Sequence, residues 1–273
     1  MPSCAVESTP ALALRIREHS LRMVHRARAS HIASSLSMTD LLAVLYGRVL
    51  RVDPARPDWP ERDRLIVSKG HAAAALYAVL AERGFFPVEE LDRYCESGSR
   101  LLGHVSHHVP GVELSTGSLG HGLPVGGGMA LASKRGGAGW RVFVLLSDGE
   151  LDEGSVWEQA LLAPQLGLDN LVAIVDYNKM QSFGSVAEVA DLAPLADKWR
   201  AFRWGVREID GHDHTAIAAA LGQAPFEPGR PSVVIAHTVK GKGVSFMEQD
   251  LAWHYRSPDL AQLARALDEV RNR

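Results

Sequence analysis

WRVFVLLSDGELDEGSVWEQALLAPQLGLDNLVAIVDYNKMQSFG, residues 140–184, reads as a strand, an acidic turn, a helix, a second strand and an Asn-bearing loop. Residues 142–146 are an uncharged run of β-formers, the pattern of a parallel strand covered on both faces, and the run ends in Ser147-Asp148-Gly149. A second apolar run, residues 171–175, ends in Asp176-Tyr177-Asn178. In open α/β sheets ligands gather outside the carboxyl ends of such strands, so Asp148 and Asn178 are expected to meet over one cation. Magnesium prefers oxygen ligands, keeps part of its water shell and is completed by phosphates, so a carboxylate, an amide and a main-chain carbonyl are an adequate protein share. Each half alone has a plainer reading, since an Asp-Gly turn can cap a helix and Asp-Tyr-Asn-Lys can be an ordinary turn. Their linkage through one helix between two strand candidates favours the cation.

Composition limits what surrounds this core. With 273 residues and 46% hydrophobic content, the chain can bury a large core. A formal net charge of -3, from 29 basic and 32 acidic residues without a block of one sign, argues against nucleic acid or an acidic membrane surface as partner. Cys4 and Cys95 are too few for a disulfide framework or a structural zinc cluster and fit a reducing compartment. No apolar run approaches membrane-spanning length and the N-terminus lacks a signal-peptide core, so a cytoplasmic location is expected.

Outward from the central stretch, strands and helices alternate. Residues 10–29 predict an amphipathic helix with Leu14, Leu21 and Val24 on one face. His31 falls in the connection to a second helix capped by Ser37 or Thr39, whose stripe is Leu41, Leu42, Leu45 and Val49. A strand over 64–67 runs into Ser68-Lys69-Gly70-His71 and a helix over 72–83; a short helix is expected over 89–94 and a long loop over 97–111. The Gly-rich segment 116–122 lets a ligand approach the backbone and precedes a helix over 129–134. Later elements are a helix over 192–202, a strand over 206–209, a helix over 215–221, a strand over 232–236, a polar loop over 238–243 and a terminal helix over 258–270. Without internal repeats or low-complexity linkers, this predicts one domain over 1–273, a doubly wound α/β fold with a mostly parallel sheet and helices on both faces.

The ordered motifs SHIASSLSMTDLLAVLY, VSKGHAAAALY, LLGHVSHHVPGVELSTGSLGHG, SDGELDEGSVWEQAL, DYNKMQSFG and VKGKGVSFMEQDLAWH, spread from His31 to His254, resemble the N-terminal, thiamine-diphosphate-binding half of transketolase in its split, two-polypeptide form. The superfamily's diphosphate motif is Gly-Asp-Gly, a long spacer, then Asn; here Ser147 replaces the first Gly. The resemblance implies the diphosphate-binding (PP-type) thiamine-diphosphate fold. It implies that Asp148, Asn178 and the main-chain carbonyl of Met180 hold Mg2+, or Ca2+ or Mn2+ in its place, while Gly149 admits the diphosphate and His71 hydrogen-bonds it. Gly117, Ser118 and Leu119 match a Gly-Pro-Leu turn against the cofactor, with Ser for Pro and His121 for the Gln that follows. His31, His104 and His254 match catalytic histidines near the thiazolium carbon. Glu153 matches an acidic residue where the active-site halves meet, and Asp176 a buried carboxylate near the cofactor. His107, His108 and His237 receive no role.

The same resemblance implies transfer of a two-carbon ketol unit from a ketose, commonly a ketose phosphate, to an aldose. The pyrimidine-binding domain and its catalytic Glu would come from a separate C-terminal transketolase subunit, giving an α2β2 heterotetramer inactive as one chain alone. Tyr255-Arg256 stands after Trp253-His254 where split transketolases commonly have Gly, and with His121 it points to a specialised sugar. For Tyr255 the alternative is a side chain facing solvent. Alternatives for the whole chain are an α-type subunit of a 2-oxo acid dehydrogenase, a deoxyxylulose-phosphate synthase-like protein, or a non-catalytic cofactor-binding subunit. Glu150, Asp152 and Glu153 have a simpler reading as an acidic first helical turn.

Overall fold

A computed structural model describes residues 8–272. Cys4 lies outside the described residues, and Cys95 is a free thiol. Five strands, β1 (Arg64–Val67), β2 (Val142–Ser147), β3 (Leu171–Tyr177), β4 (Gly205–Asp210) and β5 (Ser232–His237), form one sheet in the order β1-β2-β3-β5-β4. Every pairing among the described strands is parallel, in keeping with the expected parallel sheet, and all carboxyl ends open at one edge. The register sets Ser147 opposite Asp176, and Asp176 opposite Ala236.

Alternate residues of the central strands enter different cores, the signature of a sheet covered on both faces. Phe143, Leu145, Val172 and Ile174 join one core; Val142, Val144, Leu146, Leu171, Ala173 and Val175 join the other. The first core is closed by α1 (Thr9–Ala27), α2 (Ile32–Ser37), α3 (Thr39–Val44) and α4 (Ala73–Glu82), and the second by α5 (Gly122–Arg135) and α6 (Gly154–Gln165). A one-turn helix α7 (Val186–Val189) and α8 (Leu195–Ala201) also face the second core, while α9 (His214–Gly222) and α10 (Leu260–Arg271) face the first. No described helix is long and apolar enough to cross a membrane.

Several local expectations are corrected. Ser37 and Thr39 cap nothing, because α2 already begins after His31; Ser37 Oγ instead donates across to Asp176 Oδ2 at 2.6 Å, and Thr39 Oγ1 donates backward to Ser35 O at 3.0 Å. The helix expected over 129–134 starts at Gly122 and tolerates Gly126 and Gly127 because the sheet and α6 crowd them: a Cβ on Gly126 would lie 2.6 Å from Val144 Cγ2. Packing overrides helix propensity there. The expected short helix near 89–94 is a 3-10 turn, Val88–Arg93. Strand β3 runs on through Asp176 and Tyr177, so Asp176 is a strand residue and not part of the loop.

The exit of β1 is clamped against the Gly-rich segment. A Cβ on Gly70 would stand 2.3 Å from the carbonyl carbon and oxygen of Thr116, main-chain atoms that cannot rotate aside, and Gly70 O already accepts from Val105 N at 3.1 Å. Gly70→Ala is expected to destabilise the chain by about 1–3 kcal/mol, the usual range for overpacking, read as a lowered urea midpoint with unchanged slope. An unchanged midpoint would show that the two loops are not tightly clamped.

Candidate active site

At the carboxyl edge of the sheet, the segments leaving β1, β2, β3 and β5 enclose a cavity of about 260 Å3. It is lined by His31, His71 and His104 on one side, Asp148, Gly149, Asn178 and Met180 on another, and Lys69, Lys240, His254 and Tyr255 around the rest, with Gly117 and Leu119 at its rim. The central strands thus bring together most of the residues singled out in the sequence. Ser118, Glu153 and Asp176 are the exceptions: Ser118 and Glu153, the residue that opens α6, are exposed, Asp176 is buried beneath the cavity, and none of the three lines it.

Asp148 is 2% exposed and caps its own turn, its Oδ1 accepting from Gly149 N at 2.8 Å. Its Oδ2 accepts from Lys179 N at 2.6 Å, which ties the β2 turn to the Asn178 loop. No cationic side chain pairs with this carboxylate among the described ion pairs; burial, with the charge of Asp176 behind it, pushes its pKa up to about 6. Asn178, also buried, folds back to accept from Met180 N at 3.1 Å and so presents the 178–180 backbone to the cavity. No group of three His, Cys, Asp or Glu among the described residues could hold a metal. The available donors are instead one carboxylate, one amide oxygen and one carbonyl, a hard and incomplete set that an anionic ligand could finish. A desolvated carboxylate lacking a countercharge, beside Gly149 and Gly117 where a Cβ would meet Gln181 and His104, fits a cation held against a diphosphate.

Beneath the cavity Asp176, the carboxylate that the resemblance implied would be buried near the cofactor, pairs with Lys69, a partner the sequence reading did not assign. Lys69 and Asp176 are both fully buried and joined through Nζ and Oδ2. Lys69 Nζ also donates to Ser34 O at 3.1 Å, and Asp176 accepts from Ser37 Oγ at 2.6 Å and from Thr238 Oγ1. Burial opposes ionisation of Asp176, but Lys69 and these hydroxyls hold its pKa below the usual carboxylate range. Asp176 is therefore a charged floor under the cavity and not a lining residue. Lys240, likewise missed, is 1% exposed, and its Nζ donates to Met180 O at 3.1 Å, Gln181 O at 3.3 Å and His254 Nδ1 at 2.9 Å. Burial and the charge of Lys69 lower its pKa to about 8. The available signal was position: both lysines fall just beyond strand ends, Lys69 two residues past β1 in SKGH and Lys240 three past β5 in VKGK.

The histidines form one cluster. His31 centres it, its ring centroid 4.9 Å from His254, 5.2 Å from His71 and 6.1 Å from His104. Its backbone sits at φ 71°, a costly conformation for a side chain with a Cβ. That geometry is held by His31 N donating to His254 O at 2.9 Å and His31 O accepting from Ser35 N at 3.1 Å. His31 Nδ1 is buried and has no partner, a polar atom aimed at something the protein does not supply. Burial, then the neighbouring His104 and lysines, drop the His31 pKa to about 4; burial and Lys240 drop that of His254 to about 3; burial and Lys69 hold His71 well below its ordinary value. All three are neutral at pH 7. Because Lys240 can only donate, His254 Nδ1 accepts and its Nε2 carries the proton. Tyr255 is both 57% exposed and part of the cavity wall, its ring 4.7 Å from that of His254.

The glutamate that matters locally is Glu150. It is fully buried and accepts from Ser68 Oγ, from Gly120 N at 2.9 Å and from Ser147 N at 3.3 Å, binding the β1 exit, the Gly-rich segment and the β2 exit together.

The chain is similar to known proteins in both sequence and fold. Residues 9–255 match the family described as transketolase, thiamine diphosphate binding domain. The 6-deoxy-6-sulfo-D-fructose transketolase subunit SqwG of Clostridium sp. (strain MSTE9) is 45% identical over 240 residues, 88% of this chain and 87% of that one. An apulose-4-phosphate transketolase subunit of Phocaeicola vulgatus is 41% identical over 268 residues, covering 98% and 95%. Among solved structures, transketolase from Campylobacter jejuni superposes with a TM-score of 0.91 at 30% identity, covering 96% of this chain and 42% of that one. The chain therefore spans less than half the length of that transketolase, but nearly all of the two subunits.

Removing one member of a buried ion pair strands the other. Lys69→Met is expected to cost about 3–5 kcal/mol in chemical denaturation. A loss below about 1 kcal/mol would mean that Asp176 does not depend on Lys69 for its charge.

Proposed function

Because the chain belongs to the transketolase family as its thiamine diphosphate-binding domain, we propose that it is one subunit of a two-polypeptide transketolase. The chemistry is transketolase-type transfer of a two-carbon ketol unit from a ketose to an aldose, with thiamine diphosphate as cofactor. The observation that carries the assignment of this cleft is Asp148: a buried carboxylate without a cationic partner, tied through Lys179 N to the Asn178 loop, under a roof of neutral histidines. In this reading Asp148, Asn178 and the Met180 carbonyl hold Mg2+, and Ca2+ or Mn2+ can substitute. The 8–272 unit serves as a single diphosphate-binding domain.

Bound here, thiamine diphosphate supplies the electron sink for cleaving and forming the bond beside the ketose carbonyl. The protein's share is positional. Lys240 and His71 face the diphosphate, and Gly117 and Gly149 let the main chain close on it. His31 and His254, both neutral, and His104 beside them orient sugar hydroxyls and carry protons to and from them. Tyr255 adds its ring to the cavity wall beside His254, which we read as shaping the site for a ketose other than an ordinary pentose phosphate; SqwG and the Phocaeicola vulgatus relative are named for other sugars. A separate polypeptide would supply the pyrimidine-binding domain and a catalytic Glu, in an α2β2 assembly with exposed Glu153 at the junction.

Turnover of a ketose donor and aldose acceptor is expected only when the chain is mixed with such a polypeptide. Turnover by the purified chain alone would overturn the split arrangement, and release of CO2 from a 2-oxo acid would overturn the transketolase assignment.

Binding should also move protons in opposite directions at two pH values. Asp148, with its pKa raised to about 6, must be ionised to meet a cation, so binding near pH 6 releases protons. Lys240, with its pKa lowered to about 8, becomes charged beside an anion, so binding near pH 8 takes protons up. Calorimetry with thiamine diphosphate and Mg2+ in buffers of different ionisation heat reads both signs. The same sign at both values would refute the pairing of these groups with the ligand.

A further inference from the structure

Away from the cleft, side chains from three segments converge on Asp40 of α3, which is 4% exposed. Arg17 Nη2 donates to its Oδ2 at 2.5 Å, His212 Nδ1 meets the same oxygen at 2.7 Å, and His214 Nε2 meets Oδ1 at 3.0 Å. Burial opposes ionisation, yet the guanidinium and the two imidazoles hold the carboxyl well below the usual range. Three partners for one carboxylate are more than neutralisation requires, and the second ring nitrogen of His212 shows where the arrangement leads.

Val239 N donates to His212 Nε2 at 2.9 Å. Since that nitrogen accepts, the His212 proton resides on Nδ1, where Asp40 takes it, and the carboxylate thereby fixes both tautomer and ring orientation. Val239 immediately precedes Lys240, whose ammonium meets Met180 O, Gln181 O and His254 Nδ1. The 238–243 segment has no regular secondary structure, and on its far side the cluster borders a cavity of about 420 Å3 lined by Arg17, Asp40, His212, His214 and Lys242. Thr238 N donates to Tyr177 O at 3.2 Å and Gly241 N to Ala33 O at 3.0 Å on either side, so the His212 bond fixes the one peptide between them that leads into Lys240.

We propose that His212, aligned by Asp40, is a positioning residue that sets the place of the Lys240 ammonium through the main chain of Val239. The proposal rests on the reading of the cleft as a diphosphate site. It assigns the Asp40 cluster to cofactor affinity and not only to packing of α1, α3 and α9.

Residues that act through one another have non-additive effects, so a double-mutant cycle tests the strut. Affinity of the full chain for thiamine diphosphate with Mg2+ is measured by calorimetry. His212→Leu, which keeps bulk but loses both hydrogen bonds, is expected to weaken binding about tenfold, equivalent to about 1.4 kcal/mol. On a Lys240→Met background the same change should cost less than about twofold. His212→Gln, with an acceptor for Val239 and a donor for Asp40, should restore most of the affinity. An equal loss on both backgrounds, or no loss with Lys240 present, overturns the proposal. Should His212→Leu fail to fold by circular dichroism, Asp40→Asn replaces it in the cycle, with the same pattern expected and the same outcomes decisive. Absence of binding by the unaltered chain would refute the cofactor reading instead.

Discussion

The fully desolvated Lys69–Asp176 pair ties the exit of β1, the end of β3, the start of the loop after β5 and helix α2 into one block under the cleft. Taking two ions out of water costs several kcal/mol each, and only good geometry with further hydrogen bonds offsets it. Here the further bonds come from Ser34 O, Ser37 and Thr238. The electrostatics above follow from keeping both members charged. Asp176 is the charge that adds to burial in raising Asp148, while Lys69 adds to burial in lowering Lys240, His71, His31 and His254. One buried pair therefore prepares two complementary deficits, Asp148 short of a cation and Lys240 short of an anion. In the proposed reading a metal diphosphate would supply both.

This arrangement also explains why Asp148 and Lys240 do not simply pair with each other. Lys240 is held by two carbonyls and an imidazole from the other side of the 178–181 loop, and Asp148 by two main-chain amides. Those bonds orient each group without neutralising it. The protein keeps charge unsatisfied at the site and gains stability elsewhere, in two cores that leave the central strands without exposed surface. His31 follows the same logic: an unfavourable backbone angle and an orphan ring nitrogen are tolerated where a ligand can use them.

Much of this was legible in the sequence because parallel strands buried on both faces leave uninterrupted apolar runs, and the first polar residues beyond them mark the ligand edge. Asp148, Asn178 and the 68–71 junction were found that way, as was the α/β layering. Lys240 and Glu150 were not, and Lys69 was noticed only as a member of that junction, because their importance lies in burial. A lysine in SKGH or VKGK has the same composition as one on an exposed turn, and only convergence of segments far apart in the chain desolvates it. Glu150 and Glu153 are three residues apart in one acidic turn, yet one is sealed against Ser68 and Gly120 and the other faces solvent. Ser37 shows the reverse error: its type suggested a helix cap, whereas a tertiary partner, Asp176, claims its hydroxyl.

The parallel sheet has one further consequence for the loop after β5. Since every strand points the same way, the β4 exit at Gly211 and His212 lies beside the β5 exit, and Gly211 N donates to His237 O at 2.9 Å across them. A Cβ on Gly211 would come within 2.4 Å of Thr238 Cγ2, so the two exits touch without a spacer. The edge strand β4, remote from the cleft in sheet order, is thereby brought to bear on Lys240 through a neighbour that binds no ligand itself. Residues outside the cavity wall can shape its charge because the fold delivers every strand end to one edge, where main-chain contacts between adjacent exits are short and rigid.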